Sequence, residues 1–118
     1  MTTTLITVII PTKNRSNELK RAISSVSNQT HQDFEIIVVD DHSEENILEV
    51  VNSYNDIRIK YFKSNKVSSN ANVCRNIGLE NAKGKYVAML DSDDEWLPNH
   101  LESKLEHLIK INADGVFG

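Results

Sequence analysis

The apolar positions change period from segment to segment, and each change predicts an element. Leu5-Ile-Thr-Val-Ile-Ile10 is a β-branched run that predicts a buried strand closed by Pro11. From Ser16 onward, Leu19, Ala22, Ile23 and Val26 fall at i, i+3, i+4 and i+7, one face of a helix ending near Asn28-Gln29. Glu35-Ile-Ile-Val-Val-Asp40 is apolar on both faces, as in a parallel strand covered by helices on each side. Ser43 reads as the N-cap of a second helix, with Glu44 and Glu45 in its first turn and Ile47, Leu48, Val51 and Tyr54 as its stripe. Ile57-Arg-Ile-Lys-Tyr-Phe62 alternates, which predicts an edge strand with one wet face. A short helix over 70–82 uses Cys74, Ile77 and Gly78, and Gly84 marks its exit. Lys85-Tyr-Val-Ala-Met-Leu90 predicts another buried strand closed by Asp91. Pro98 occupies the first turn of a helix striped by Leu101, Leu105, Leu108 and Ile109, and Gly115-Val-Phe-Gly118 opens one more strand.

This alternation of strands and helices implies an α/β fold with an open, doubly wound parallel sheet in the strand order 3-2-1-4. Ligands of such sheets bind beyond the carboxyl ends of the strands. Those ends carry Pro11-Thr12, Asp40-Asp41 and Asp91-Ser92-Asp93-Asp94, so the polar clusters converge on one edge.

Composition narrows the class. A chain of 118 residues is enough for one small domain. Thirteen Lys plus Arg against seventeen Asp plus Glu gives a formal charge of -4, which argues against nucleic acid as a partner. Cys74 is the single cysteine, so no intrachain disulfide or thiolate cluster forms. No apolar run approaches the roughly 20 residues of a membrane span, and Met1-Thr-Thr-Thr-Leu lacks a basic signal-peptide start. The expected location is cytoplasmic, with at most a peripheral association at the inner face of the membrane.

Three carboxylates within Asp91–Asp94 repel one another when ionised, and a divalent cation relieves that repulsion. Oxygen-only ligands favour Mg2+ or Mn2+, with open positions for phosphate oxygens; the alternative is a solvated acidic loop ahead of a helix. Asp41 can accept hydrogen bonds from a base or ribose, or simply form a turn. Thr12 and Asn14 offer further hydrogen bonds or, again, turn geometry. Arg75 can pair with a carboxylate or a diphosphate, or stand on the surface. His31, His42, His100 and His107 show no ligand spacing and read as surface residues, Trp96 as packing beside the acidic loop, and Cys74 as buried and inert.

Val8-Ile-Ile-Pro-Thr12, Asn14-Arg15, Asn28-Gln29-Thr30, Phe34-Glu-Ile-Ile-Val-Val-Asp-Asp41, Arg75-Asn76-Ile-Gly78-Leu79, Ala82-Lys-Gly84 and Leu90-Asp-Ser-Asp-Asp-Glu-Trp96 follow one another in order. The ordered string resembles the N-terminal, nucleotide-sugar-binding half of a family 2 glycosyltransferase with the GT-A fold. The resemblance implies that Pro11, Thr12 and Asp41 contact the nucleoside and that Arg75 lies near the base or diphosphate. It matches Asp91 and Asp93 to the Asp-x-Asp motif, with Asp93 or Asp94 on a metal bound to the diphosphate. It implies a nucleotide-diphospho-sugar donor, a UDP-sugar, a saccharide or glycoconjugate acceptor, and a role in polysaccharide synthesis. Lys13 departs from the pattern, standing where many members carry an aromatic residue that stacks on the base.

The resemblance also places the acceptor site and the catalytic base beyond residue 118. Residues 1–118 are therefore expected to form a donor half-domain, truncated before that second half, that binds donor without efficient transfer. An unpaired sheet edge there would favour a homo-oligomer. The alternative is a non-catalytic nucleotide-binding or assembly module. A phospho-acceptor receiver domain is disfavoured because it needs its acidic pair after strand 1, where Pro11-Thr12 stands. A dinucleotide oxidoreductase is disfavoured because no Gly-x-Gly-x-x-Gly follows that strand.

Overall fold

The computed structural model describes residues 5–64, 71–110 and 116–117, by backbone alone at 71–72, 108–110 and 116–117. Asn70, Gly115, Gly118 and the Leu108 and Ile109 side chains lie outside what is described. The elements are β1 (Ile6–Thr12), α1 (Ser16–Ser27), β2 (Phe34–Asp40), α2 (Ile47–Ser53), β3 (Ile59–Lys63), α3 (Ala71–Asn81), β4 (Tyr86–Met89), α4 (His100–Lys110) and β5 (Val116–Phe117). All pairings are parallel, in the order β3-β2-β1-β4-β5. The expected 3-2-1-4 order is thus present, with β5 added beside β4.

Alternation of side chains divides the sheet between two cores. On one face Val8, Ile10, Ile36 and Val38 pack with Leu19, Ala22, Ile23 and Val26 of α1, Ile47, Val50 and Val51 of α2, and Leu101 and Leu105 of α4. On the other, Ile9, Ile37 and Val39 pack with Cys74 and Ile77 of α3. Gly78 brings α3 close, since a Cβ there would stand 2.6 Å from Ile9 Cγ2. Among the described residues no helix is long and apolar enough to cross a membrane.

β1 does not close at Pro11 but runs on to Thr12 along β2, where Pro11 pairs with Val39. Proline stops only the other ladder: β1–β4 pairing ends at Ile9↔Met89, and Leu90 N–H donates the last bond to Ile9 O. The chain after β4 therefore leaves the sheet at Asp91. Ser43 is not the cap of α2. Asn46 is, accepting from Glu49 N–H at 3.1 Å, because Asp40 and Asn14 hold Ser43 to Glu45 in a loop ahead of the helix. Leu48 is exposed and Val50 takes its place in the stripe. β3 starts two residues later than predicted, leaving Ile57 96% exposed before the strand. Pro98 lies two residues ahead of α4, which begins at His100.

Candidate functional site

The carboxyl ends of β1, β2 and β4 open onto a cleft of about 300 Å³. Pro11 and Thr12 line it from the end of β1, Asp41 from the first position after β2, and Asp91, Ser92 and Asp93 from the loop after β4. Cys74 of α3 contributes one wall, and Lys13 and Arg15 of the β1–α1 loop another. Five of the eight residues singled out in the sequence therefore meet in one place. Asn14, Arg75 and Asp94 do not line it.

The two loops at the nucleoside side are stitched together. Asp40 is buried and accepts from Ser43 N–H at 2.9 Å and from the Tyr61 hydroxyl at 2.7 Å. Burial and this carboxylate push the Tyr61 hydroxyl pKa up, so it stays a donor. Asp41 N–H extends the ladder to Thr12 O at 2.9 Å, which fixes the Asp41 backbone at the cleft. Asn14 adopts a left-handed φ of 51°, which asparagine tolerates, and its Oδ1 accepts from Glu44 and Glu45 N–H. Its N–H donates to Ser43 Oγ at 2.8 Å. Asn14 thus builds the loop. Glu45 in turn accepts from the Ser16 N–H and hydroxyl, placing a carboxylate at the N-terminus of α1.

The acidic loop is fixed from both ends. Asp94 N–H donates to Asp91 O at 3.0 Å, and Asp94 Oδ1 accepts from Glu95 N–H. Downstream, buried Gln29 donates to Leu97 O at 2.6 Å and accepts from Leu101 N–H at 2.9 Å, which ties the end of α1 to the first turn of α4. Trp96 packs on the larger core and stacks on His100 at 4.4 Å, as expected of a packing residue. His31, His42 and His100 are half-buried and His107 is exposed; the His42 Nε2 atom is itself buried, and its residue takes a φ of 53°.

Three features of the cleft bear on ligands. Thr12 is 4% exposed and its Oγ1 has no hydrogen-bond partner among the described residues, a polar atom that a ligand would satisfy. Arg15 Nη1 lies 3.1 Å from Asp93 Oδ2, across the mouth. Among the described residues no group of three or more His, Cys, Asp or Glu side chains is placed to hold a metal ion. Asp91 and Asp93 nevertheless share the cleft, and Mg2+ or Mn2+ needs only one or two carboxylates when phosphate oxygens complete its shell. The donor set fits a substrate-completed site and not an all-protein cage.

Arg15 and Cys74 are the lining residues that the sequence does not point to; Lys13 and Ser92 lie in segments it already places at the ligand-binding strand ends. Arg15 carries a sequence signal, a cation three residues past the end of an apolar strand, but nothing local indicates its partner 78 positions away.

The profile of the family described as Glycosyl transferase family 2 matches residues 7–118. The chain is 36% identical over 114 residues to the UDP-Glc:alpha-D-GlcNAc-diphosphoundecaprenol beta-1,3-glucosyltransferase WfgD of Escherichia coli, covering 97% of this chain and 45% of that protein. It is 42% identical to the poly(ribitol-phosphate) beta-N-acetylglucosaminyltransferase TarP of Staphylococcus aureus, covering 96% of this chain and 36% of TarP. Among solved structures, residues 1–349 of S. aureus TarS in complex with UDP-GlcNAc superpose with a TM-score of 0.82 at 28% identity, over 89% of this chain and 31% of that one. The chain thus spans less than half the length of these relatives.

Proposed function

The chain belongs to glycosyl transferase family 2, and from that premise we propose that it is the donor-binding part of a glycosyltransferase. The enzyme would transfer a sugar from a UDP-sugar to a hydroxyl of a saccharide or glycoconjugate. The observation that carries this reading is the convergence of Pro11, Thr12, Asp41, Asp91 and Asp93 on one cleft at the strand ends.

Each residue has a role its chemistry supports. Asp41 accepts hydrogen bonds from the ribose or base, and the orphaned Thr12 hydroxyl supplies a second polar contact to the nucleoside. Pro11 and Cys74 offer apolar surface to the base, in place of the aromatic stack that Lys13 replaces. Lys13 and Arg15 bring positive charge to the cleft, Arg15 at the acidic loop where the diphosphate would lie. Asp93 and Asp91 would hold Mg2+ or Mn2+ together with the diphosphate, with Asp94 bracing the loop from outside. When bound, the cation screens the charge that builds on the leaving nucleoside diphosphate. In the transfer the acceptor oxygen bonds to the anomeric carbon, the bond to the diphosphate breaks, and the hydroxyl proton passes to a base. We place that base and the acceptor site outside these 118 residues, a reading supported by the length of WfgD and TarP beyond the matched segment.

Calorimetric titration with UDP, with and without Mn2+, tests the assignment. Wild type is expected to bind UDP more tightly with Mn2+. Asp41→Ala is expected to lose about tenfold, the value of one good charge-assisted hydrogen bond. Equal binding by the folded Asp41→Ala variant would contradict the role given to Asp41.

A further inference from the structure

Arg15 and Asp93 meet across the mouth of the cleft, one at the N-terminal boundary of α1 and the other in the loop after β4. Their side chains are 52% and 57% exposed, and a pair so open to water adds little to stability. Nor does the Arg15 side chain serve its own helix. It makes no capping hydrogen bond, and only its carbonyl accepts from Leu19 N–H, at 2.7 Å. Among the described residues the guanidinium has no partner besides Asp93, so no structural task keeps it at the cleft.

The charge of the cleft suggests the task. Among the described residues Asp41, Asp91 and Asp93 outnumber Lys13 and Arg15, so their part of the lining carries excess negative charge. A diphosphate entering such a cleft is repelled while Arg15 is spent on Asp93. Once another cation neutralises Asp93, the guanidinium fork is released, and its geometry matches two phosphate oxygens.

We propose that Arg15 is a diphosphate-binding residue that exchanges partners: it pairs with Asp93 in the free protein and turns to the diphosphate when a divalent cation takes Asp93. The inference rests on the donor-site reading above. Its consequence is a pair of opposite effects. Arg15 competes with the cation for Asp93 yet cooperates with it in holding the nucleotide, so it contributes to the coupling between the two ligands.

The test is calorimetric titration of wild type, Arg15→Gln and Arg15→Lys with Mn2+ alone, then with UDP at saturating Mn2+. Because Arg15 caps nothing with its side chain, both variants are expected to fold. Arg15→Gln is expected to bind Mn2+ alone about threefold more tightly, having lost an exposed competitor. It is expected to bind UDP about tenfold more weakly, having lost a charged fork. Arg15→Lys, which keeps the charge without the fork, falls between. UDP affinity unchanged in Arg15→Gln overturns the role of Arg15 and leaves the donor-site reading standing. Unchanged Mn2+ affinity overturns the exchange of partners. A folded wild type that binds no UDP overturns both readings.

Discussion

The adjacent carboxylates Asp40 and Asp41 separate in function because the strand turns them to different surroundings. Asp40 is buried and spent on Ser43 and Tyr61, whereas Asp41 reaches the cleft. A similar division sets Glu35 apart from the site. At the opposite end of the sheet its buried carboxylate accepts from the Thr7 hydroxyl at 2.6 Å, Lys83 N–H at 2.6 Å and Lys60 Nζ at 2.9 Å. Burial pushes the Glu35 carboxyl up, but these donors outweigh it and hold the group below its ordinary value of 4.5. A lowered pKa means stability that is present above the unfolded value and is lost as the pH falls through the folded one. Glu35→Gln is therefore expected to lose about 2 kcal/mol near neutral pH, since it removes the charge from a buried, fully donated site. Urea unfolding should show that gap closing as the pH drops below 4.5. A gap of constant size would contradict the assignment.

At the scale of elements, the close approach of α3 to β1 sets the wall of the cleft. Gly78 allows it, and Ile9, whose Cγ2 a new Cβ would meet at 2.6 Å, is fully buried and cannot move aside cheaply. Gly78→Ala is expected to cost about 1–3 kcal/mol by overpacking. It should also weaken UDP binding, because α3 carries Cys74 into the cleft. A variant as stable as wild type in thermal melts would show that α3 has room to shift. The strands and the faces of α1 and α3 were legible in the sequence because apolar period reports burial directly. The start of α2 was not. Ser43 has the chemistry of a cap, but Asp40 and Asn14 take its hydrogen bonds, and no local rule weighs a residue 29 positions away. The effect of Pro11 is not local either: a strand in mid-sheet has two ladders, and proline ends only the one on the side its missing N–H would face.

For the whole molecule, parallel order places the ends of β1, β2 and β4 side by side, and this alone gathers residues from positions 11 to 93. That much of the site followed from topology and from the ordered motifs. Arg15 did not, because its role depends on facing the acidic loop in space. The most direct measurement is a 1H–15N correlation spectrum of the labelled chain, titrated with UDP and Mg2+. Shifts are expected to concentrate at Thr12, Lys13, Arg15, Asp41, Cys74 and Asp91–Asp93, with Glu35 and Lys83 at the far end of the sheet unmoved. A folded chain whose spectrum does not respond, or whose shifts gather instead in the groove between Lys20 and Trp96, would contradict the donor-site reading.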